Sequence, residues 1–168
     1  MNIQDIFNLD KKIAFISGGA TGIGRMAAEA MAMAGARVLI ASRKGSLCAS
    51  VAEELNQKGY RGIVEGFEGD LSSEAGVEAV VKEIKIKTGQ LNILMNNAGR
   101  SWGAPLGSFP HTAWEKVMSL NVAGLFSLTQ SLIPLLEKSA THEVPARVIN
   151  VGSVMGEIPM GDGAYSYS

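Results

Sequence analysis

The sequence predicts an α/β fold built on a doubly wound parallel sheet. Short β-branched or aliphatic runs alternate with longer stretches of helical period, the pattern of successive βαβ units. The first run is followed at once by a glycine-rich turn. No repeat, low-complexity tract or linker interrupts the 168 residues, so one domain is expected.

Each element has a local reason. Residues 13–17 form a buried strand ahead of the glycine turn. Ile23, Ala27, Met31 and Ala34 then recur on one helical face, which Gly35 closes as a left-handed C′ residue. Residues 38–41 make the second strand. Ser46 is placed to cap the next helix, with Leu47, Val51 and Leu55 inward and Gly59 at its end. Residues 62–67 are the third strand. Ser72 is placed to cap a helix carrying Val77, Val80, Val81 and Ile84, and residues 91–95 are the fourth strand. Thr112 and Glu115 read as a capping box that opens a long helix toward Lys138, with Pro134 kinking it or ending it early. Residues 147–151 are the fifth strand. Right-handed crossovers give the sheet order 3-2-1-4-5, with a ligand crevice at the carboxyl ends of strands one and four.

Composition narrows the function classes. The chain is 46% hydrophobic and 18% charged with a net charge of −1, which is globular and offers no basic field for nucleic acid or anionic lipid. Cys48 stands alone, excluding an intramolecular disulfide, and no Cys/His cluster points to a metal. The first residues carry Asp5 rather than a basic segment and lead into no long apolar run, unlike a signal peptide. Apolar stretches elsewhere read as short and interrupted by charge, too short to span a bilayer. A cytoplasmic protein is expected.

The turn after strand one contains Ser17, Gly18, Thr21, Gly22, Ile23 and Gly24. Glycines there bend the backbone sharply and present its N–H groups, with the helix dipole, to a pyrophosphate. A P-loop is excluded because no Gly-Lys-Ser/Thr follows. The spacing also departs from G-x-G-x-x-G. It resembles the T-G-x-x-x-G-x-G of the short-chain dehydrogenase/reductase family, with Ser17 in place of the threonine. Four further stretches carry that resemblance: Asn96, Asn97, Ala98 and Gly99 after strand four; Asn121 between Leu120 and Val122; Asp70 and Leu71 after strand three; and Ser153 after strand five. The resemblance implies a Rossmann-type domain that binds a nicotinamide dinucleotide. Asp70 and Leu71 would meet the adenine, and Asn97, Ala98 and Gly99 would support the nucleotide. Asn121 would distort its helix and hold a water in the proton path.

NAD-specific relatives place an acid at the end of strand two, against the ribose 2′-hydroxyl. Ser42 stands there instead, followed by Arg43 and Lys44. A carboxylate repels a 2′-phosphate, whereas a guanidinium binds it through paired, charge-assisted hydrogen bonds. NADP(H) is therefore expected, with Arg43 as main contact and Ser42 assisting. Thr21 occupies the other position where many NADP-binding relatives carry a basic residue.

The resemblance also implies the chemistry. A serine, a tyrosine and a lysine orient a carbonyl, donate its proton and lower the tyrosine pKa from about 10. Ser153 takes the first role and Tyr167 the second, with Tyr165 as the competing choice. The family's lysine would fall three positions beyond Ser168, so the 168 residues are expected to be an incomplete, inactive or very weak form of a longer enzyme. The stretches 96–105 and 114–118 are similar to bacterial 3-oxoacyl reductases of the rhamnolipid-biosynthesis type, implying a 3-oxoacyl thioester substrate. Trp102 lies near the crevice as a packing or pocket residue; His111 and His142 are given no catalytic role. The same resemblance implies a homodimer or homotetramer formed through the helix that starts near Thr112. Two other classes stay open: an S-adenosylmethionine methyltransferase, opposed by the absence of an acid at Ser42, and a non-catalytic NADP-binding or partner-binding module.

Overall fold

The computed structural model describes residues 6–154. Five parallel strands stand in the order β3-β2-β1-β4-β5, as expected from right-handed crossovers. They are β1 (Ile13–Ser17), β2 (Arg37–Ser42), β3 (Ile63–Glu68), β4 (Ile93–Asn96) and β5 (Arg147–Asn150). Alternation sends Phe15, Leu39 and Leu94 to one face of the sheet and Ala14, Ile16, Val38, Ile40 and Met95 to the other. Both faces are covered. On the first lie α3 (Glu74–Lys87) and α5 (Leu125–Ser139), the latter preceded in the chain by α4 (His111–Met118); on the second lie α1 (Gly22–Met33) and α2 (Gly45–Gln57). Gly35 and Gly59 adopt φ of 101° and 69°, as expected of left-handed helix ends.

Several local expectations are corrected. The buried face of α1 is Gly24, Ala28 and Ala32, while Ile23 is 57% exposed and Ala27 and Met31 only flank the core. The helix presents its smallest residues to the sheet because it must approach the glycine turn closely. Ser46 does not cap α2; Lys44 precedes the helix and makes no side-chain cap. Ser73, not Ser72, caps α3, accepting from the Gly76 N–H at 3.2 Å. Leu91 lies before β4, where its N–H donates to the Leu135 carbonyl.

The expected capping box is not formed. Thr112 lies inside α4, Pro110 occupies the cap position, and Glu115 faces His111 one turn back at 3.5 Å. Between α4 and α5 the backbone widens into a π-helical turn, Ser119–Gly124, so helix runs from His111 to Ser139. Pro134 does not end it. Proline deprives the Gln130 carbonyl of its helical donor, and both residues are solvent-exposed, where water replaces that donor. By length and composition this combined helix is long and apolar enough to cross a membrane, contrary to the expectation that no apolar stretch is. Leu128, Leu132, Leu135 and Leu136 are buried in the core it shares with α3 and the sheet.

Candidate functional site

The carboxyl ends of β1, β2, β3 and β4 surround a cleft of about 300 Å³. Its floor is the turn after β1. Gly18 has φ of 68°, a conformation glycine adopts without the steric cost a Cβ brings. Gly24, in the first turn of α1, lies so close that a Cβ there would sit 2.4 Å from the Gly18 carbonyl oxygen. Thr21 precedes α1 in extended conformation and makes no side-chain cap. The first-turn amides of α1 are thus left to whatever anion enters the turn.

Side chains tie this turn to the end of β4. Ser17 is buried, and its Oγ accepts from the Asn97 and Ala98 N–H groups, both at 3.0 Å. Asn97 returns the bond: its Nδ2 donates to the Ser17 and Gly18 carbonyls at 3.0 and 3.1 Å. Four hydrogen bonds therefore bind two loops some eighty residues apart in sequence.

At the other end, Ser42, Arg43 and Lys44 leave β2 and line the cleft, with Arg43 and Lys44 exposed at its rim. Asp70 follows β3 across from them. Burial pushes its carboxyl up, but the backbone N–H and hydroxyl of Ser72, with the fields of Arg43 and Arg100, outweigh this and hold it below the ordinary aspartate value. Leu71 is buried beneath the Asp70 turn.

Of the residues expected to meet a nucleotide, Ser17, Gly18, Thr21, Ser42, Arg43, Asp70, Leu71, Asn97, Ala98 and Gly99 all line this one cleft. Gly22, Ile23 and Gly24 stand in the first turn of α1 beside it rather than in its lining. Sequence reasoning did not place Lys44, Leu47 or Val80 in the wall. Leu47 and Val80 read there as core residues of their helices; only their place in the first two turns of helices that start beside the cleft marks them.

Asn121 lies in the π-helical turn, as expected for a helix-distorting asparagine. Its Oδ1 accepts from the Arg100 N–H and its Nδ2 donates to the Arg100 carbonyl, both at 2.9 Å. The side chain thus pairs with backbone as a strand would, pinning the loop that follows Gly99. Asn96 fixes the neighbouring strand: its Nδ2 donates to Thr129 Oγ1 and Asn150 Oδ1, both at 2.8 Å. The Asn96 carbonyl accepts from Val151, which directs the chain toward exposed Ser153 at the same end of the sheet. Tyr165 and Tyr167 lie outside the described residues.

Residues 12–168 match the family described as short chain dehydrogenase. The chain belongs to the short-chain dehydrogenase family. This short-chain dehydrogenase is 48% identical over 161 residues to a rhamnolipids biosynthesis 3-oxoacyl-(acyl-carrier-protein) reductase of Pseudomonas aeruginosa, covering 96% of this chain and 62% of that one. It is 32% identical over 148 residues to the 3-oxoacyl-(acyl-carrier-protein) reductase FabG of Aquifex aeolicus, covering 88% of this chain and 58% of that one. Among solved structures, the Pseudomonas aeruginosa RhlG/NADP active-site complex matches with a TM-score of 0.89 at 48% identity, over 96% of this chain and 62% of that one. The short-chain dehydrogenase chain thus spans less than two thirds of the length of these relatives.

Proposed function

We propose that this chain is the NADP(H)-binding part of an oxidoreductase that reduces a ketone to a secondary alcohol. The observation that carries the reading is a single cleft with an uncapped helix N-terminus at one end and Ser42, Arg43 and Lys44, with no carboxylate after β2, at the other. The first end suits a pyrophosphate and the second a ribose 2′-phosphate. Bound there, the nucleotide supplies the hydride. Ser17, Gly18, Thr21, Gly22, Ile23 and Gly24 would hold its phosphates, Asp70 and Leu71 its adenine, and Asn97, Ala98 and Gly99 the inner wall.

For the proton chemistry the reading assigns Ser153 to the carbonyl oxygen, Tyr167 to proton donation and Asn121 to the loop that borders the path. Kinship with the Pseudomonas aeruginosa reductase makes 3-oxoacyl thioesters the first substrates to assay. We further read the 168 residues as one dinucleotide-binding domain of a cytoplasmic, membrane-free enzyme that forms a homodimer or homotetramer.

The test is a fluorescence titration of the purified protein with NADPH and NADH. Arg43→Asp is expected to weaken NADPH about 10- to 100-fold, the range of a charge-assisted hydrogen bond, while changing NADH little. Equal loss for both nucleotides overturns the assignment.

A further inference from the structure

We propose that Cys48 is a positioning residue for phosphate recognition: its thiol holds Ser42 so that the serine hydroxyl is left as a donor facing the cleft. The inference rests on the NADP(H) reading above and assigns a role to a residue outside the cleft lining.

Cys48 is wholly buried in the first turns of α2, and its Sγ lies 3.1 Å from Ser42 Oγ. The Lys44 N–H also donates to Ser42 Oγ, at 3.2 Å. A hydroxyl has two lone pairs and one proton. Either atom of that pair can donate; because Ser42 Oγ has the Lys44 carbonyl as a second acceptor while, among the described residues, the thiol has Ser42 Oγ as its partner, the arrangement that satisfies both groups has the S–H donating to the oxygen. Both lone pairs of Ser42 are then occupied and only its proton is left to donate. That proton rests on the Lys44 carbonyl at 3.4 Å, the outer limit of a hydrogen bond. A 2′-phosphate oxygen at the rim, anionic and acceptor-only, is a better partner than that carbonyl. A neutral ribose 2′-hydroxyl gives no charge assistance. Cys48 thereby converts an ambivalent serine into a committed donor on the side where phosphorylated and unphosphorylated nucleotides differ.

Dissociation constants for NADPH and NADH, measured on the purified protein by nucleotide fluorescence, test this. Cys48→Ala is expected to weaken NADPH about 3- to 10-fold, one neutral hydrogen bond's worth, and to leave NADH unchanged. Cys48→Val, close in volume and without a donor, behaves the same and serves where the alanine variant folds poorly. Cys48→Ser, which keeps a donor, restores NADPH binding. In a Ser42→Ala background Cys48→Ala has no further effect, an outcome that a general packing role does not produce. The role is refuted if donor-less variants bind NADPH as tightly as the parent, weaken both nucleotides alike, or still act when Ser42 is alanine. Arg43→Asp separates the two ideas. If it loses NADPH selectively while Cys48 is silent, only the positioning role falls; if the parent does not prefer NADPH, both fall.

Discussion

Asp70 is the cleft residue whose protonation couples to folding. Because its carboxyl is held below the ordinary aspartate value, about 3.9, the native protein binds that proton less tightly than the unfolded chain. The stabilisation is complete above the unfolded value and disappears as the pH falls through the lower, folded one. Urea unfolding of the parent and of Asp70→Asn should therefore differ most near neutral pH and converge in acid; a gap that widens on acidification contradicts the assignment. Residues of this kind were legible in the sequence because they lie at strand ends, where a polar side chain has few structural reasons to be. Arg100 was not. Its importance comes from backbone groups that pair with the Asn121 amide, and the side-chain alphabet says nothing of those. Cys48 was likewise read only for its redox state, since its contact with Ser42 spans the junction of β2 and α2.

At the scale of elements, strand positions and sheet order followed from hydrophobic period and crossover handedness. Helix faces and caps were less secure, for a physical reason. On α1 nearly every position is alanine, glycine, methionine or isoleucine, so apolar period alone does not choose between faces one residue apart. The choice is made by close approach, which favours Gly24 over Ile23. Gly124 shows the same constraint where the π-helical turn meets α5: a Cβ there would lie 2.0 Å from the Leu71 carbonyl oxygen, backbone against backbone. Gly124→Ala should thus displace the helix from the loop after β3 and cost about 1–3 kcal/mol in urea unfolding. NADPH affinity should fall with it, because Asp70 and Leu71 ride on that loop. A variant with unchanged stability would show the turn to be free to shift.

On the molecular scale, the long helix carries its apolar surplus outward. Val122 and Phe126 are 47% and 68% exposed on successive turns, with Ile133 at 42% and Trp114 at 38% along the same helix. Such a surface is what a symmetric pair of subunits covers. Phe126→Glu should shift the protein toward monomer in light scattering after size exclusion while leaving its circular dichroism unchanged. An unaltered mass would count against the subunit contact proposed above.

The cross-tie from Ser17 to Asn97 and Ala98 has a thermodynamic corollary. Folding itself ties the two turns together, so the dinucleotide proposed above would meet a floor already ordered and lose little to loop ordering. Its occupancy would then act on the native state as a whole, raising the unfolding temperature by mass action rather than stiffening a local flap.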